Sequence, residues 1–250
     1  TSAGSDLSSF DALQGGETLT LSGSGTSASA NVANGIAMSS NGNLALVDGT
    51  GLASNYSLNS TVINITERVL NSSGSKIYDA NTDALAADIT LSNLVSGEAL
   101  NHSGTATISS ANAGSYTITN LAGITIADGS GGTASNYTLT GGTHNFTVNP
   151  KVVSIQGNKT YDGNTTISSG DITSITDTVG AETLVISSGS GTVSSANAAT
   201  YASAGINEGT LTLGDGTGLA STYTLTGHAA SSFQVTQRVL SSSGSRIYDG

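Results

Sequence analysis

Lys76-Ile77-Tyr78-Asp79 is the first of three copies of a short motif, which we call the head motif. The other two copies are Lys159-Thr160-Tyr161-Asp162 and Arg246-Ile247-Tyr248-Asp249. The head tyrosines are 83 and 87 residues apart. Because this period is well above that of a simple solenoid coil, it predicts tandem folded modules that repeat one architecture.

A second motif, the tail motif, recurs with the same period. Its copies are Asn55-Tyr56-Ser57-Leu58, Asn136-Tyr137-Thr138-Leu139 and Thr222-Tyr223-Thr224-Leu225. A glutamate that follows a small residue and opens a predicted strand recurs as well, as Glu17, Glu98 and Glu182. Together these landmarks predict a module without its first strand at 1–66, complete modules at 67–148 and 149–236, and the first strand of a further module at 237–250.

A longer period of 170 residues relates Glu67-Arg68-Val69-Leu70 to Gln237-Arg238-Val239-Leu240. We interpret residues 237–250 either as the cut end of a longer array or as a strand that completes the first module of another copy. Both interpretations predict that 237–250 extends away from 149–236. They also predict an open, strand-shaped site beside Phe10, Leu19 and Tyr56.

Apolar and polar residues alternate in many short runs, such as Thr18-Leu19-Thr20-Leu21 and Tyr116-Thr117-Ile118-Thr119. This alternation is typical of strands with one buried face, and clusters of Gly, Asn, Asp and Ser separate the runs as turns require. We therefore predict an all-β chain of small antiparallel, immunoglobulin-like β-sandwich modules in a linear array. β-Grasp-like modules and a β-solenoid are the alternatives. The one candidate helical turn lies between Thr82 and Leu94.

Composition limits the classes of partner. Six Lys and Arg residues stand against seventeen Asp and Glu, and the formal net charge is −11. Nucleic acid is an unsuitable partner, because binding its phosphates needs a basic surface. The sequence has no apolar run long enough for a membrane helix. Absence of cysteine, with abundant Thr, Ser, Asn and Gly, is typical of secreted or surface proteins of bacteria.

These motifs resemble the YDG-type repeat of filamentous-haemagglutinin-like bacterial exoproteins. The head Lys159-Thr160-Tyr161-Asp162-Gly163-Asn164-Thr165-Thr166 and the tail Asn136-Tyr137-Thr138-Leu139 carry the resemblance, whereas Ala80 replaces the head glycine of the second module. The resemblance implies a secreted surface protein with an adhesin or fibre role. It implies no catalytic residues and identifies no receptor.

The residues that recur once per module are the candidate site. They are Tyr56, Tyr78, Tyr137, Tyr161, Tyr223, Tyr248, Asp79, Asp162, Asp249, Lys76, Lys159 and Arg246. We predict a structural role for them: the tyrosine rings fill thin cores, and the cations pair with acids of their own module or across a junction. The alternative roles are a stacking platform for sugars and a site for sulfated glycans. We expect each head tyrosine to pack near the tail tyrosine of its own module, Tyr78 near Tyr137 and Tyr161 near Tyr223.

Calcium binding and catalysis are two further roles that the residue types could suggest. The turns that begin at Asp48, Asp128 and Asp215 each supply one carboxylate, whereas calcium needs six to eight oxygens, so we predict tight turns and no cofactor. The three histidines fall at non-equivalent positions, and no nucleophile has a paired base. The sequence predicts a non-enzymatic stalk or fibre segment of a secreted bacterial adhesin or extracellular filament, involved in cell adhesion or biofilm. Its expected partners are neighbouring modules or subunits, head to tail, and a glycan- or host-surface-binding module is the alternative.

Overall fold

The computed structural model describes residues 1–7, 9–59 and 61–250. The chain is all-β, as the alternation of residues predicted, and the helices of the described residues are 3-10 turns of three residues each. None of these helices has the length and apolar character that crossing a bilayer requires. One sheet is nearly closed and barrel-like, and the described residues show no tandem array of immunoglobulin-like sandwiches.

The strands are short and follow the repeats. The strands of residues 1–66 are β1 (Ser2–Ala3), β2 (Leu19–Ser22), β3 (Ser24–Ser27), β4 (Ala33–Ser40), β5 (Ala45–Asp48) and β6 (Val62–Ile65). Those of residues 67–149 are β7 (Arg68–Val69), β8 (Asn71–Ile77), β9 (Asp83–Leu85), β10 (Ile89–Ser92), β11 (Asn101–Ile108), β12 (Gly114–Asn120), β13 (Ile124–Ala127), β14 (Tyr137–Thr138) and β15 (His144–Asn149).

The third repeat contains two more strands than the second. Its strands are β16 (Lys151–Val152), β17 (Ser154–Thr160), β18 (Thr166–Ser168), β19 (Ile172–Thr176), β20 (Leu184–Ser188), β21 (Ser190–Val193), β22 (Ala199–Ala202), β23 (Ile206–Asn207), β24 (Thr212–Asp215), β25 (Tyr223–Thr224) and β26 (Ser232–Thr236). The 3-10 turns are Gly4–Asp6, Ala53–Asn55, Ala86–Asp88, Ala134–Asn136, Ser169–Asp171, Ser203–Gly205 and Ala220–Thr222. The helical turn predicted between Thr82 and Leu94 is the single 3-10 turn at Ala86–Asp88.

The chain forms two compact units that do not follow the repeats. Unit 1 comprises Thr1–Ser72, Leu91–Gly104 and Ile124–Thr143, and unit 2 comprises Ser73–Thr90, Thr105–Gly123 and His144–Gly250. The division between the units falls inside β8, β10 and β11. The module boundaries drawn from the sequence remain a prediction.

In unit 2, the third repeat places its first long strand beside its last. The sheet order is β19-β17-β26-β22, in which β17 runs parallel to β26 and antiparallel to β19. The amide of Tyr161 donates to the carbonyl of Thr236 at 2.9 Å and extends this parallel pairing. The second repeat has the equivalent bond, from the amide of Tyr78 to the carbonyl of Asn149 at 2.9 Å.

A glycine in β17 lets the core close over this strand. Phe233 is fully buried, and a Cβ added to Gly157 would lie 2.8 Å from its ring and 2.5 Å from the carbonyl oxygen of Asp171. Gly74 has the same surroundings in the second repeat, where the ring is that of Phe146. The glycine of the head segment is therefore required by close packing of an aromatic ring.

In unit 1, the first repeat also has a four-stranded sheet, but its last strand has a neighbour on one side only. The sheet order is β1-β3-β4-β6, so β6 lies at the edge, and no described residues take the place that β17 has beside β26. A groove of about 440 Å³ runs along this edge. Phe10 lines the groove as predicted, but Leu21 and Ser57 line it instead of Leu19 and Tyr56.

Residues 237–250 form no strand or helix, and all of them are exposed. The large apolar side chains among them are open to solvent, since Leu240 is 86% and Ile247 is 90% exposed. This segment therefore adds no strand to the sheet of the third repeat, although Arg238 and Leu240 line a shallow cleft together with Tyr161.

Candidate functional site

Each tail tyrosine binds the recurring glutamate of its own repeat. The hydroxyl of Tyr56 donates to Glu17 Oε2 at 2.5 Å, that of Tyr137 to Glu98 Oε2 at 2.6 Å, and that of Tyr223 to Glu182 Oε2 at 2.5 Å. Bonds between a hydroxyl and a carboxylate are shorter and stronger than those between neutral groups. The same tyrosine–glutamate hydrogen bond thus occurs once in each of the three repeats.

A backbone amide completes each of these pairs. The tyrosine hydroxyls accept hydrogen bonds from the amides of Gln14, Val95 and Val179, at 3.2, 3.1 and 2.9 Å. The turn glycine of the third repeat makes room for the carboxylate, because a Cβ at Gly218 would lie 2.6 Å from Glu182 Oε2. We call the tail tyrosine, its glutamate and the amide the tyrosine–glutamate triad.

The head tyrosine of the second repeat joins the triad of the third repeat, within unit 2. The Tyr78 hydroxyl donates to Glu182 Oε1 at 2.8 Å. Its ring packs edge-on against Tyr223, with the centroids 5.3 Å apart and the planes at 78°. Edge-to-face contact of this kind is a favoured arrangement of aromatic rings.

This contact corrects the predicted pairing of the tyrosines. We expected Tyr78 to pack near Tyr137 and Tyr161 to pack near Tyr223, each pair within one module. Instead, the rings of Tyr78 and Tyr223, which belong to adjacent repeats, pack against each other. The physical reason is that β8 already pairs with β15, the last long strand of the same repeat, and Tyr78 lies just past the end of that pairing.

Burial and the shared carboxylate make these phenols weak acids. Burial, followed by the hydrogen bond to Glu182, raises the pKa of Tyr223 to about 12. The same two causes raise the pKa of Tyr78, and burial with the bond to Glu98 raises that of Tyr137. The phenols therefore remain protonated donors throughout the neutral range.

The head lysines organise the turn that follows them. Lys159 is buried, and its Nζ donates to Asp162 Oδ1 at 3.1 Å, to the Asn164 carbonyl at 2.9 Å and to the Thr166 carbonyl at 2.7 Å. Lys76 makes the matching bonds to Asp79, Asn81 and the carbonyl of Asp83.

The aspartates of these turns are held as anions. A backbone bond from Asn164, with the bonds from Lys159, lowers the pKa of Asp162. The burial of Asp79 opposes ionisation, but its bonds from Lys76 and Asn81 outweigh burial and lower its pKa. In the exposed tail, Arg246 pairs with Asp249. Each head cation is therefore paired with the aspartate of its own head motif.

The aspartates that begin the glycine turns are used locally as well. Asp48, Asp128 and Asp215 accept the backbone amides of Ala53, Ala134 and Ala220, at 2.6, 2.7 and 2.7 Å. No group of three or more His, Cys, Asp or Glu side chains that could hold a metal ion occurs within residues 1–7, 9–59 and 61–250.

The other head tyrosines lie in different surroundings. Tyr78 is 6% exposed, whereas Tyr161 is 40% and Tyr248 is 89% exposed. The three glutamates recur with the repeat in the sequence, but their bonds to the tail tyrosines were not predicted. Their spacing was the available signal, since each glutamate precedes its tyrosine by 39, 39 and 41 residues.

Comparison with known families identifies a YDG domain at residues 66–145. This match confirms the YDG part of the resemblance for that segment, which contains the head motif at Tyr78 and the tail motif at Tyr137. No curated protein and no solved structure matches the chain significantly.

Proposed function

We propose that this chain is a non-enzymatic structural segment of a stalk or fibre in a secreted bacterial surface adhesin or extracellular filament. The observation that carries the proposal is the contact of Tyr78 with Glu182 and Tyr223. Here the head residue of one repeat is bound by the tail residues of the next. The stability of a repeat array depends on contacts between neighbouring repeats, and recurring residues can make such a contact at each junction.

The modules of this array are β-grasp-like in our proposal. The sheet of the third repeat has its first and last long strands parallel and adjacent in the middle, with an antiparallel strand on each side. An immunoglobulin-like sandwich would instead need two packed antiparallel sheets. The topology therefore favours the β-grasp alternative over the sandwich that the sequence suggested first.

The environment of the recurring residues supports a structural role. The tail hydroxyls are bound by glutamates, the head lysines by their own turns, and the turn aspartates by backbone amides. Groups that are satisfied inside the protein have few bonds left for a ligand. A location outside the bacterial cell belongs to the same proposal, and it follows from the composition and the resemblance to exoproteins.

Electron microscopy of chains with increasing numbers of repeats tests this function. We expect the particle length to grow by a constant increment for each added repeat, because each repeat contacts only its neighbours. Particles that stay compact as repeats are added would contradict the stalk. A glycan array run on the same proteins addresses the adhesive alternative. Binding that is lost in Tyr161→Ala, which removes an exposed ring, would favour that alternative.

A further inference from the structure

We propose that each head turn is a calcium-type loop of oxygen ligands that is closed by the protein's own cation, the ammonium of the head lysine. The two copies are Lys76 with residues 79–83 and Lys159 with residues 162–166, and both lie in unit 2. Removal of the lysine ammonium should therefore convert the turn into a site for Ca²⁺. The proposal goes beyond the stalk function, because it concerns which cation the turns accept.

The ammonium of Lys76 lies among four oxygen atoms of its turn. Its Nζ is 2.8 Å from Asp79 Oδ1, 2.7 Å from Asn81 Oδ1, and 2.8 Å from the carbonyl oxygens of both Asn81 and Asp83. An ammonium has three protons to donate, so these oxygens outnumber the hydrogen bonds that it can make one to one. They surround the charge as ligands surround a metal ion.

Lys159 has the same surroundings in the third repeat. Its Nζ is 3.1 and 3.4 Å from the carboxylate oxygens of Asp162, 2.9 Å from both the side-chain and the carbonyl oxygen of Asn164, and 2.7 Å from the carbonyl oxygen of Thr166. The side chains of Lys76 and Lys159 are only 8% and 5% exposed. Each lysine is thus enclosed by its turn.

The ligands are spaced as they are at the start of a calcium loop. Aspartate is first, asparagine is third and a backbone carbonyl is fifth, and the EF-hand loop also takes ligands from positions 1, 3 and 5. The backbone turns at the second position, where Ala80 and Gly163 have φ values of 63° and 83°. Backbone amides of the third and fifth residues hold the aspartate and asparagine oxygens in place. The ligand set is therefore preformed.

The turn can adapt to a metal once the ammonium is gone. Ca²⁺ binds oxygens at roughly 2.3–2.6 Å, so the loop has to contract by a few tenths of an ångström. The side chains of Asp79 and Asp162 are 44% and 42% exposed, so water can reach the site and complete the coordination that Ca²⁺ needs. While the lysine is present, its positive charge fills the same place and repels a metal ion.

The two copies differ in charge, which gives the proposal a ranking to test. The fifth residue is Asp83 in the second repeat and Thr166 in the third. Lys76→Met therefore leaves two carboxylates in its loop, whereas Lys159→Met leaves one. Because the charge of the ligands sets calcium affinity, Lys76→Met should bind Ca²⁺ on the order of tenfold more tightly than Lys159→Met.

Thermal unfolding of the full chain in calcium and in EDTA tests the closure. Methionine keeps an unbranched apolar stem and removes the charge. In EDTA, the unfolding midpoint of Lys76→Met should lie below that of wild type, because the oxygens of the turn lose their cation. About 10 mM CaCl₂, which exceeds the roughly 0.1–1 mM dissociation constants of weak extracellular sites, should raise the midpoint of Lys76→Met and leave wild type unchanged. NaCl of equal ionic strength separates binding from charge screening.

Two further variants are controls. Arg68→Met removes another cation of the same repeat, but the Arg68 guanidinium bonds the carbonyl and side-chain oxygens of Asn93 at 2.5 and 2.8 Å, outside the turn. It should show no calcium response. Lys76→Met combined with Asp79→Asn should lose most of the response, because the first ligand has lost its charge.

Three results overturn the proposal. The first is a calcium response in wild type or in Arg68→Met as large as that in Lys76→Met, since the lysine would then not close the site. The second is an identical midpoint in calcium and EDTA for both lysine variants. The third is a failure of both lysine variants to fold in either solution, since calcium should restore what the ammonium supplied. None of these results affects the stalk, which is tested by length per repeat.

Discussion

The tyrosine–glutamate triad shows how one carboxylate serves two repeats. Glu182 accepts Tyr223 through Oε2 and Tyr78 through Oε1, so both oxygens are bound by phenols. In the second repeat, Glu98 Oε2 accepts Tyr137 in the same manner. Glu182, which binds the tail tyrosine of its own repeat, thus also binds the head tyrosine of the preceding repeat.

Tyr223→Phe should lower the free energy of unfolding by about 1.5–3 kcal/mol near neutral pH, because it removes a hydrogen bond to a charged acceptor. It should also change the response to alkali. The pKa of Tyr223 is raised from 10.0 to about 12 in the folded chain, so its contribution is complete below pH 10 and is lost as pH rises towards 12. Urea unfolding at pH 8, 10 and 11 should show a smaller alkaline loss for the variant than for wild type. Tyr248→Phe, which removes an exposed hydroxyl, is the control, and an alkaline loss in Tyr223→Phe as large as in wild type would contradict the assignment.

At the scale of strands, the parallel contact of β17 with β26 depends on one glycine. Gly157→Ala should destabilise the chain by about 1–3 kcal/mol, because the new Cβ meets the Asp171 carbonyl and the Phe233 ring. Gly170→Ala is the matched control: it lies in a 3-10 turn with open space around it and should change stability by less than about 0.5 kcal/mol. Thermal unfolding of both variants checks the prediction, and similar midpoints would show that the strand can move aside.

The turns should hold their shape without metal. Asp48, Asp128 and Asp215 already accept backbone amides, so each carboxylate closes its own loop. We expect EDTA to leave the unfolding midpoint unchanged, measured against the same buffer with added calcium. A fall of many degrees in EDTA would mean that these aspartates bind an ion that stabilises the native state.

The strands and turns could be predicted from the sequence more fully than the contacts between them. Alternating residues and glycine turns are local signals, so the all-β class and the turns at Asp48 and Asp215 could be predicted. The parallel neighbour of β17 lies 76 residues away in the chain, and the partner of Tyr78 belongs to another repeat. Periodicity marks which residues recur but not which copy each one contacts, so the tyrosine pairs were assigned to the wrong modules.

At the scale of the whole molecule, equivalent head tyrosines have unequal surroundings. Tyr78 is bound by the following repeat, whereas Tyr161 is 40% exposed. Tyr78→Ala should therefore cost about 3–5 kcal/mol, the usual range for a buried aromatic ring, and Tyr161→Ala less than about 1 kcal/mol. Denaturant unfolding of the two variants measures the difference. Equal losses would show that the contact with Glu182 and Tyr223 contributes little to stability.

The same pair of variants tests whether stability passes from repeat to repeat. In a chain extended by a complete repeat after residue 250, Tyr161 would meet the glutamate and tail tyrosine of that repeat, as Tyr78 meets Glu182 and Tyr223. The cost of Tyr161→Ala should then rise towards that of Tyr78→Ala, because a nearest-neighbour interface has been added. Calorimetry of the extended chain with and without the substitution measures this rise. An unchanged cost would mean that the contact of Tyr78 is peculiar to one junction, and that the head tyrosines are not the general link of the array.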